Sequence, residues 1–397
     1  MPRSRLPGSR LPALLNPDDL RGVNRLVIDA ITGTTDIVEA VHASILGWPR
    51  RIVGLAPQPA TGGIPGLVYA GIRGIARASG SGIDQVLQRL PLARADTAMA
   101  MADRDAVLAI LNGVIGDHLA ATGNPLALDA RLRQAGRALE LERAALADAY
   151  PSASPRLLVM VHGLCMNDLQ WQQDGHHHGQ RLVDELGGSL IHLHYNSGLP
   201  IADNGRQFSE LLQQLVEAWP VEVERIAIVG HSMGGLVARA AIATAQAERS
   251  AWLERLERLA SLGTPHHGAP LERAGDLLQS VLGSHAHSAP FTALGRIRSA
   301  GIQDLRHGIR HAQHPPLPAH VRVHAVAASI QQPGAGRKSR GVRGDGLVPV
   351  ASAFGDHPDP LLDLRIPEER RLLVHGIGHI GLLRSTRVHA QLRDWLA

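Results

Sequence analysis

Residues 225–239 read RIAIVGHSMGGLVAR: an apolar run that enters a serine with glycine two positions to either side and then continues as a helical pattern. Ile226–Val229 has the composition of a buried strand, and the residues after Gly234 suit an amphipathic helix. A strand that turns directly into a helix crowds the turn, so only small residues fit around its tip. Gly230 and Gly234 occupy those crowded positions and Ser232 the tip, which is the G-x-S-x-G pattern of a nucleophile elbow. The amides that open the following helix would face any negative charge developing above the serine.

A serine hydroxyl attacks carbonyls only when a base takes its proton, so a histidine and a carboxylate are required downstream. His379, in GIGHIGLL between the expected last strand and the final helix, is the favoured base; His375 competes but falls at a strand end, and His389 reads as a surface residue of the last helix. Asp345, between two glycines in RGDGLVPVAS, is the favoured acid, with Asp356, Asp359 and Asp363 as alternatives in a Pro-rich loop. It would hold the imidazole tautomer and stabilise the imidazolium. Upstream, His162-Gly163-Leu164 follows the apolar run Val159–Val161. The Leu164 N–H would supply one oxyanion donor and the N–H of Met233, which follows the serine, the other. His162, Gly163, Gly230, His231 and Gly234 are the supporting positions of these two turns. Cys165, the single cysteine, lies beside the first turn without a strained setting of its own and reads as packing.

Around these turns the 397-residue chain divides into two textures. Residues 1–125 form an expected N-terminal helical extension. Asn16-Pro17-Asp18-Asp19 is a helix start, with apolar positions at helical spacing from Val23 and Val27 to Ile45. Gly62, Gly66, Ala70, Gly74, Ala78 and Gly82 then recur every fourth residue, which suits tight helix packing, or a lipid-surface element with Arg73, Arg77 and Arg89 at the headgroups. A third helix is expected over Asp103–Ala121. Residues 126–397 alternate short apolar runs with helical patterns, which predicts a mostly parallel sheet flanked by helices. The expected strands are Arg156–Val161, Ser189–Tyr195, Arg225–Val229, Leu256–Ser261, Val321–Ala328 and Arg371–Val374, with Arg137–Leu141 as an added edge. Helices are expected at Asn204–Ala218, Gly234–Glu248 and Ser385–Leu396, and about 264–318 reads as an insertion without strands.

Composition excludes more than it assigns. The formal net charge is only +4 and no nucleic-acid-binding motif is present, so nucleic acid is not an expected partner. The N-terminus lacks an apolar core of signal-peptide length, and prolines and glycines break the longest uncharged run, Ile52–Ile72. A cytoplasmic protein is expected, with contact to a membrane or lipid-droplet surface through the N-terminal helices left open. No protein partner can be inferred. His176-His177-His178 invites a metal reading. Neighbouring histidines on a loop rarely point to one centre, however, and no carboxylate or cysteine is spaced to complete a site, so neither a metal nor a cofactor is expected.

Taken together, HGL, GHSMGG, GTPHHG, GDGLVP and GHIGLL resemble the α/β-hydrolase superfamily. They look most like its bacterial lipase and esterase branch, with PGAP1-like and lecithin:cholesterol-acyltransferase-like relatives. The resemblance covers roughly residues 126–397. It implies an α/β-hydrolase fold, Ser232, Asp345 and His379 as a triad, and a helical lid insertion over about 264–318 that begins at GTPHHG. The activity implied is that of a serine carboxylic-ester hydrolase acting on small-molecule or lipid esters, with an acyltransferase or thioesterase as the rival of like chemistry. An inert lipid-surface protein is the alternative of another class. VHGLCMNDLQW and LHYNSGLPIADNGRQF are also similar to bacterial esterase/lipase proteins with an N-terminal helical extension. Some lipases of this type hold a structural calcium, for which no ligands can be named in this sequence.

Overall fold

The computed structural model describes residues 18, 19, 21–29, 32, 70, 74, 98–269, 299–308, 316–333 and 344–397. Contacts divide the chain into two compact units, Met1–Met101 with Ala121–Leu126, and Ala102–Ala120 with Ala127–Ala397. In the first unit, residues 21–29 are helical, and Arg25 and Asn124 tie this helix to the 123–126 segment. Arg25 Nη1 donates to Gly123 C=O (2.8 Å) and Asn124 Nδ2 to Gly22 C=O (3.0 Å). Val23 and Val27, which open the apolar helical spacing in the sequence, are 46% and 50% exposed. The small-residue stripe lies outside the described residues except for Ala70 and Gly74, both helical.

The second unit is built on one eight-stranded sheet in the order β2-β1-β4-β3-β5-β6-β7-β8. β1 (Arg131–Gln134) and β2 (Arg137–Ala138) form an antiparallel edge, and β1 also pairs antiparallel with β4. The other strands, β3 (Arg156–Val161), β4 (Ser189–His194), β5 (Arg225–His231), β6 (Leu256–Leu262), β7 (Arg322–Ser329) and β8 (Arg371–His375), are mutually parallel. β3 and β5 are almost wholly apolar because helices cover both faces, as a parallel sheet requires. The six expected parallel strands all form, within a residue or two at their ends. The expected edge strand Arg137–Leu141 is cut to the two residues of β2, and its partner β1 gives no sequence signal because RLRQ alternates weakly.

Helices α1 (Ala98–Ala121, whose residues 102–120 belong to this unit), α2 (Arg143–Ala149), α3 (His178–Leu186), α4 (Ile201–Ala218) and α5 (Met233–Glu248) precede or link these strands. After them come α6 (Trp252–Arg255), α7 (Ala300–His307), α8 (Val350–Phe354) and the C-terminal α9 (Thr386–Leu396). Gly205 of α4 lies against Ala240 of α5, so the two helices approach more closely than a side chain at 205 would permit. Most of the expected lid, residues 270–298 and 309–315, lies outside the described residues; within its range α7 is the one described helix.

From β3 the chain crosses to β4 on one side, and from β5 to β6 on the other. The two directions part between β3 and β5. The carboxyl ends of these two strands therefore flank the crevice in which open α/β sheets place their ligands.

Candidate active site

Both turns flagged in the sequence open into that crevice. Gly230 closes β5 opposite Val161 of β3, and His231 pairs with Leu262 of β6. The chain then reverses into α5 through Ser232, whose backbone stands at φ 53° and ψ −123°. A non-glycine residue in that region stores strain of order 1–3 kcal/mol. The Ser232 N–H is anchored on Leu262 C=O (2.8 Å). A Cβ at Gly234 would run into the carbonyls of Val161 and His162, and one at Gly230 into the backbone of Gly234 and Gly235. The glycine spacing is thus a packing requirement of the elbow. Met233 opens α5, and first-turn amides have no partner within their own helix, so its N–H is available to a ligand.

The loop after β3 meets the elbow directly. A Cβ at Gly163 would lie 3.1 Å from Ser232 Cβ, so this position tolerates no side chain without displacement. Tyr195 and Ser197, just beyond the end of β4, hold the loop in place. Tyr195 stacks on His162 (centroids 4.3 Å apart, planes 17° apart) and its hydroxyl donates to His162 C=O at 2.8 Å. Ser197 Oγ accepts the Cys165 N–H at 3.0 Å, and Met166 N–H turns back to Gly163 C=O. The amides at 165 and 166 are thus engaged within the loop. Cys165 is buried, and burial pushes its thiol up to about 12, which keeps it protonated and unreactive at neutral pH.

Asp345 and His379 form a buried pair. His379 Nδ1 donates to Asp345 Oδ2 at 2.7 Å, and the two residues are each 3% exposed. Asp345 Oδ1 accepts the N–H groups of Leu347 (2.9 Å) and Val348 (2.8 Å), while its C=O accepts the His379 N–H (3.1 Å). Gly346 at φ 100° lets the chain turn back on the carboxylate within two residues. Burial alone would raise the carboxyl, but the His379 charge and hydrogen bond, with the two amides, hold it below the ordinary aspartate value. The rival groups are engaged elsewhere. Asp356 pairs with Arg371 (2.8 Å), Asp359 and Asp363 accept local N–H groups, and His375 Nδ1 lies against Gln331 C=O.

The elbow and the pair are neighbours. The His231 ring lies 4.8 Å from the His379 ring, and its Nε2–H donates to His379 C=O at 3.4 Å. Gly263, the first residue of GTPHHG, has φ 60°, and a Cβ there would sit 3.1 Å from Cε1 and Nδ1 of His379. This glycine, at the entry to the expected lid, leaves room for the imidazole. His379 Nε2 is buried and has no hydrogen-bond partner among the described residues, the Ser232 hydroxyl included. Such bonds are commonly loose before substrate arrives. Ser232 itself is 4% exposed. Chemically, the arrangement offers a hydroxyl on a strained turn and, close by, an imidazole oriented by a carboxylate.

Among known proteins, the sequence model of the PGAP1-like alpha/beta domain matches residues 206–294, a stretch that includes β5, Ser232, α5 and β6. No curated protein matches the chain by sequence. Solved structures similar to it include the mature lipase BlEst2 of Bacillus licheniformis, at 18% identity and TM-score 0.42, covering 60% of this chain and 91% of that one. An esterase of Thermogutta terrifontis aligns at 14% identity and TM-score 0.36, covering 62% and 90%. The RedJ thioesterase of Streptomyces coelicolor aligns at 16% identity and TM-score 0.37, covering 62% and 86%. Over the stretch that carries the serine elbow the chain is thus similar to the PGAP1-like alpha/beta domain, and that stretch lies in a mostly parallel sheet flanked by helices.

Proposed function

We propose that the chain is a serine carboxylic-ester hydrolase of esterase or lipase type, acting on lipid-like or medium-to-long acyl esters. The observation that carries the proposal is the buried imidazole–carboxylate pair of His379 and Asp345, joined to the strained turn of Ser232 through the contact of His231, the residue before the serine, with His379. In the proposed reaction Ser232 Oγ attacks the ester carbonyl as His379 Nε2 takes its proton, with the N–H groups of Leu164 and Met233 stabilising the oxyanion. The tetrahedral species collapses, the alcohol leaves with the proton from His379, and Ser232 carries the acyl group. Water then attacks this acyl-enzyme with His379 as base, releasing the acid and restoring the hydroxyl. Each oxyanion donor is worth on the order of 10²–10³ in rate.

The resemblance to lipases supports the longer-chain leaning, and a cytoplasmic setting belongs to the same proposal. Contact with a lipid surface through the N-terminal helices fits the exposed Val23 and Val27, and flotation of the full chain with liposomes tests it. No helix among the described residues is long and apolar enough to cross a membrane.

The decisive experiment is a p-nitrophenyl ester series of rising chain length on the wild type and Ser232→Ala. We expect the alanine variant to lose at least 10³ in kcat and the wild type to prefer octanoate to acetate. Retained activity in the variant would overturn the mechanism, and preference for acetate would overturn the lipid leaning. Added alcohol acceptors or acyl thioesters in the same assay separate hydrolysis from acyl transfer and thioester cleavage.

A further inference from the structure

Away from the crevice, His176 and His178 assemble with a partner distant in sequence, His389. His176 ends the short bridge Gln173–His176, where two backbone hydrogen bonds fix its position (2.8 and 2.9 Å). His177 is extended (φ −141°, ψ 107°), so its neighbours at 176 and 178 point to one side and its own ring to the other. Its Nδ1 caps α3 by accepting the Gln180 N–H, and its Nε2 meets His192 Nε2 at 3.3 Å. His176 and His178 turn instead towards His389 on α9, and one side-chain nitrogen from each of these three lies within 4.8 Å of the other two. Adjacent histidines rarely share a centre; these are alternate residues, and their third partner lies far along the chain where no spacing rule would find it.

The remote nitrogens are already committed. His178 Nε2 donates to Leu382 C=O at 2.9 Å, which in the neutral ring leaves the Nδ1 lone pair facing the cluster. His389 Nε2 lies 3.0 Å from the Glu185 carboxylate, which fixes the proton there and turns Nδ1 inward; that Nδ1 is buried without a hydrogen-bond partner among the described residues. His176 Nε2 lies 2.8 Å from His178 Nδ1 and can donate to it. The three residues are 6%, 0% and 8% exposed. An imidazole whose far N–H is held by a carbonyl or carboxylate is the arrangement that orients a metal-binding histidine. Here two of the three rings have it.

We propose that His176, His178 and His389 form a three-histidine site for a divalent ion of the zinc class, with the fourth position taken by water. Zinc binds imidazole nitrogen at about 2.0–2.1 Å, which in tetrahedral geometry sets ligand nitrogens about 3.3 Å apart. The cluster reaches that spacing through side-chain shifts of about an ångström, with His176 moving its proton from Nε2 to Nδ1. Three neutral nitrogens favour zinc, cobalt or nickel over calcium or magnesium, which require oxygen ligands. The ion would join α3 to α9 and, through His178 and Leu382, to the His379–Leu383 turn. Its role is a structural clamp behind the turn that carries His379, and the site stands whether or not the proposed esterase activity does.

The test uses the full chain stripped with a chelator. Titration with Co²⁺ should give one equivalent of visible ligand-field absorption of the intensity of a low-coordinate nitrogen site, displaced by one equivalent of Zn²⁺. Competition with a chromophoric chelator should give a Zn²⁺ Kd below about 1 µM. His176→Gln and His389→Gln should each abolish the Co²⁺ band. Glu185→Gln, which alters a half-exposed carboxylate and so preserves the fold, should weaken Zn²⁺ about 10- to 100-fold. Zn²⁺ should raise the Tm of the wild type and not of the two histidine variants. Absence of a saturable Co²⁺ band, or Zn²⁺ affinity unchanged in Glu185→Gln and His176→Gln, would overturn the site and assign any uptake to other histidines of the chain.

Discussion

Replacing Asp345 by asparagine tests the proposed mechanism at its most specific joint. The carboxylate makes three hydrogen bonds. Oδ1 accepts Leu347 and Val348 N–H, and Oδ2 accepts His379 Nδ1–H at 2.7 Å. In Asp345→Asn the amide oxygen can keep the two backbone donors, which forces its NH₂ towards the imidazole. A donor facing Nδ1 demands a lone pair there, so the ring proton moves to Nε2, the atom that should receive the serine proton. The base is then lost with little change in shape. In serine-protease triads this exchange lowers kcat about 10⁴-fold, equivalent to about 5.4 kcal/mol of barrier. Stability should fall much less, by about 1–2 kcal/mol, because one charge-assisted bond is exchanged and the two backbone bonds stay. The measurements are steady-state kcat on a p-nitrophenyl ester, the rate of fluorophosphonate labelling of Ser232, and Tm. Labelling and turnover should fall together while Tm moves little. A kcat within tenfold of wild type, in a folded protein, would refute Asp345 as the orienting acid.

Three further outcomes follow from the same contacts. Gly263→Ala places a methyl 3.1 Å from the His379 ring at a backbone φ of 60°, so kcat should fall at least tenfold through imidazole displacement; unchanged kinetics would show that the ring has room to spare. Tyr195→Phe keeps the stacking on His162 but strips a buried carbonyl of its donor; we expect a stability loss of about 1–3 kcal/mol by urea unfolding, with kcat reduced less than in Gly263→Ala. For pH, burial, opposed by a Gly163 carbonyl and aided by the Arg133 charge, lowers His162 to about 4, and burial with Arg133 and His162 lowers His194 to about 2. The unfolded chain protonates both near 6.5, so stability is full above that pH and declines as pH falls towards 4, by on the order of 3 kcal/mol for His162 alone. Asp345, held below its ordinary value, adds a second loss as pH falls below about 4 and through its folded value. A Tm constant from pH 7 to 4.5 would contradict this account.

The candidate site is legible where chemistry constrains chain geometry, and hidden where it depends on long-range packing. Ser232 could be read because an elbow needs glycines at fixed offsets, and the contacts of Gly230 and Gly234 show why. Asp345 and His379 could be ranked above their rivals because each lies on a loop after a strand. What no spacing reveals is that Tyr195 clamps His162 across the sheet, or that Gly263 faces the imidazole. Both are contacts between segments that follow different strands, and their local sequence, YNSG and GTPHHG, looks like turn material. The same holds for β1, too short and polar to show a strand period, and for His389, which reads as a surface histidine until α9 packs on α3.

The crowding of imidazoles at the crevice raises a question of charge. His231 lies 4.8 Å from His379, and His162 shares the adjoining loop. In the proposed reaction His379 becomes an imidazolium, and a second cation at that distance would oppose the step. The fold prevents this. Burial above all, and then the His379 charge, drive His231 well below its ordinary value, and burial lowers His162 to about 4. Neither carries charge at neutral pH. His379 differs from both in one respect that matters: its Nδ1 faces a carboxylate, so protonation at Nε2 completes an ion pair in place of an isolated buried cation. Neutral neighbours provide bulk, exclude water and bind the turn through the His231 contact with His379 C=O, while adding no repulsion. Of the three rings, the carboxylate singles out one for proton transfer.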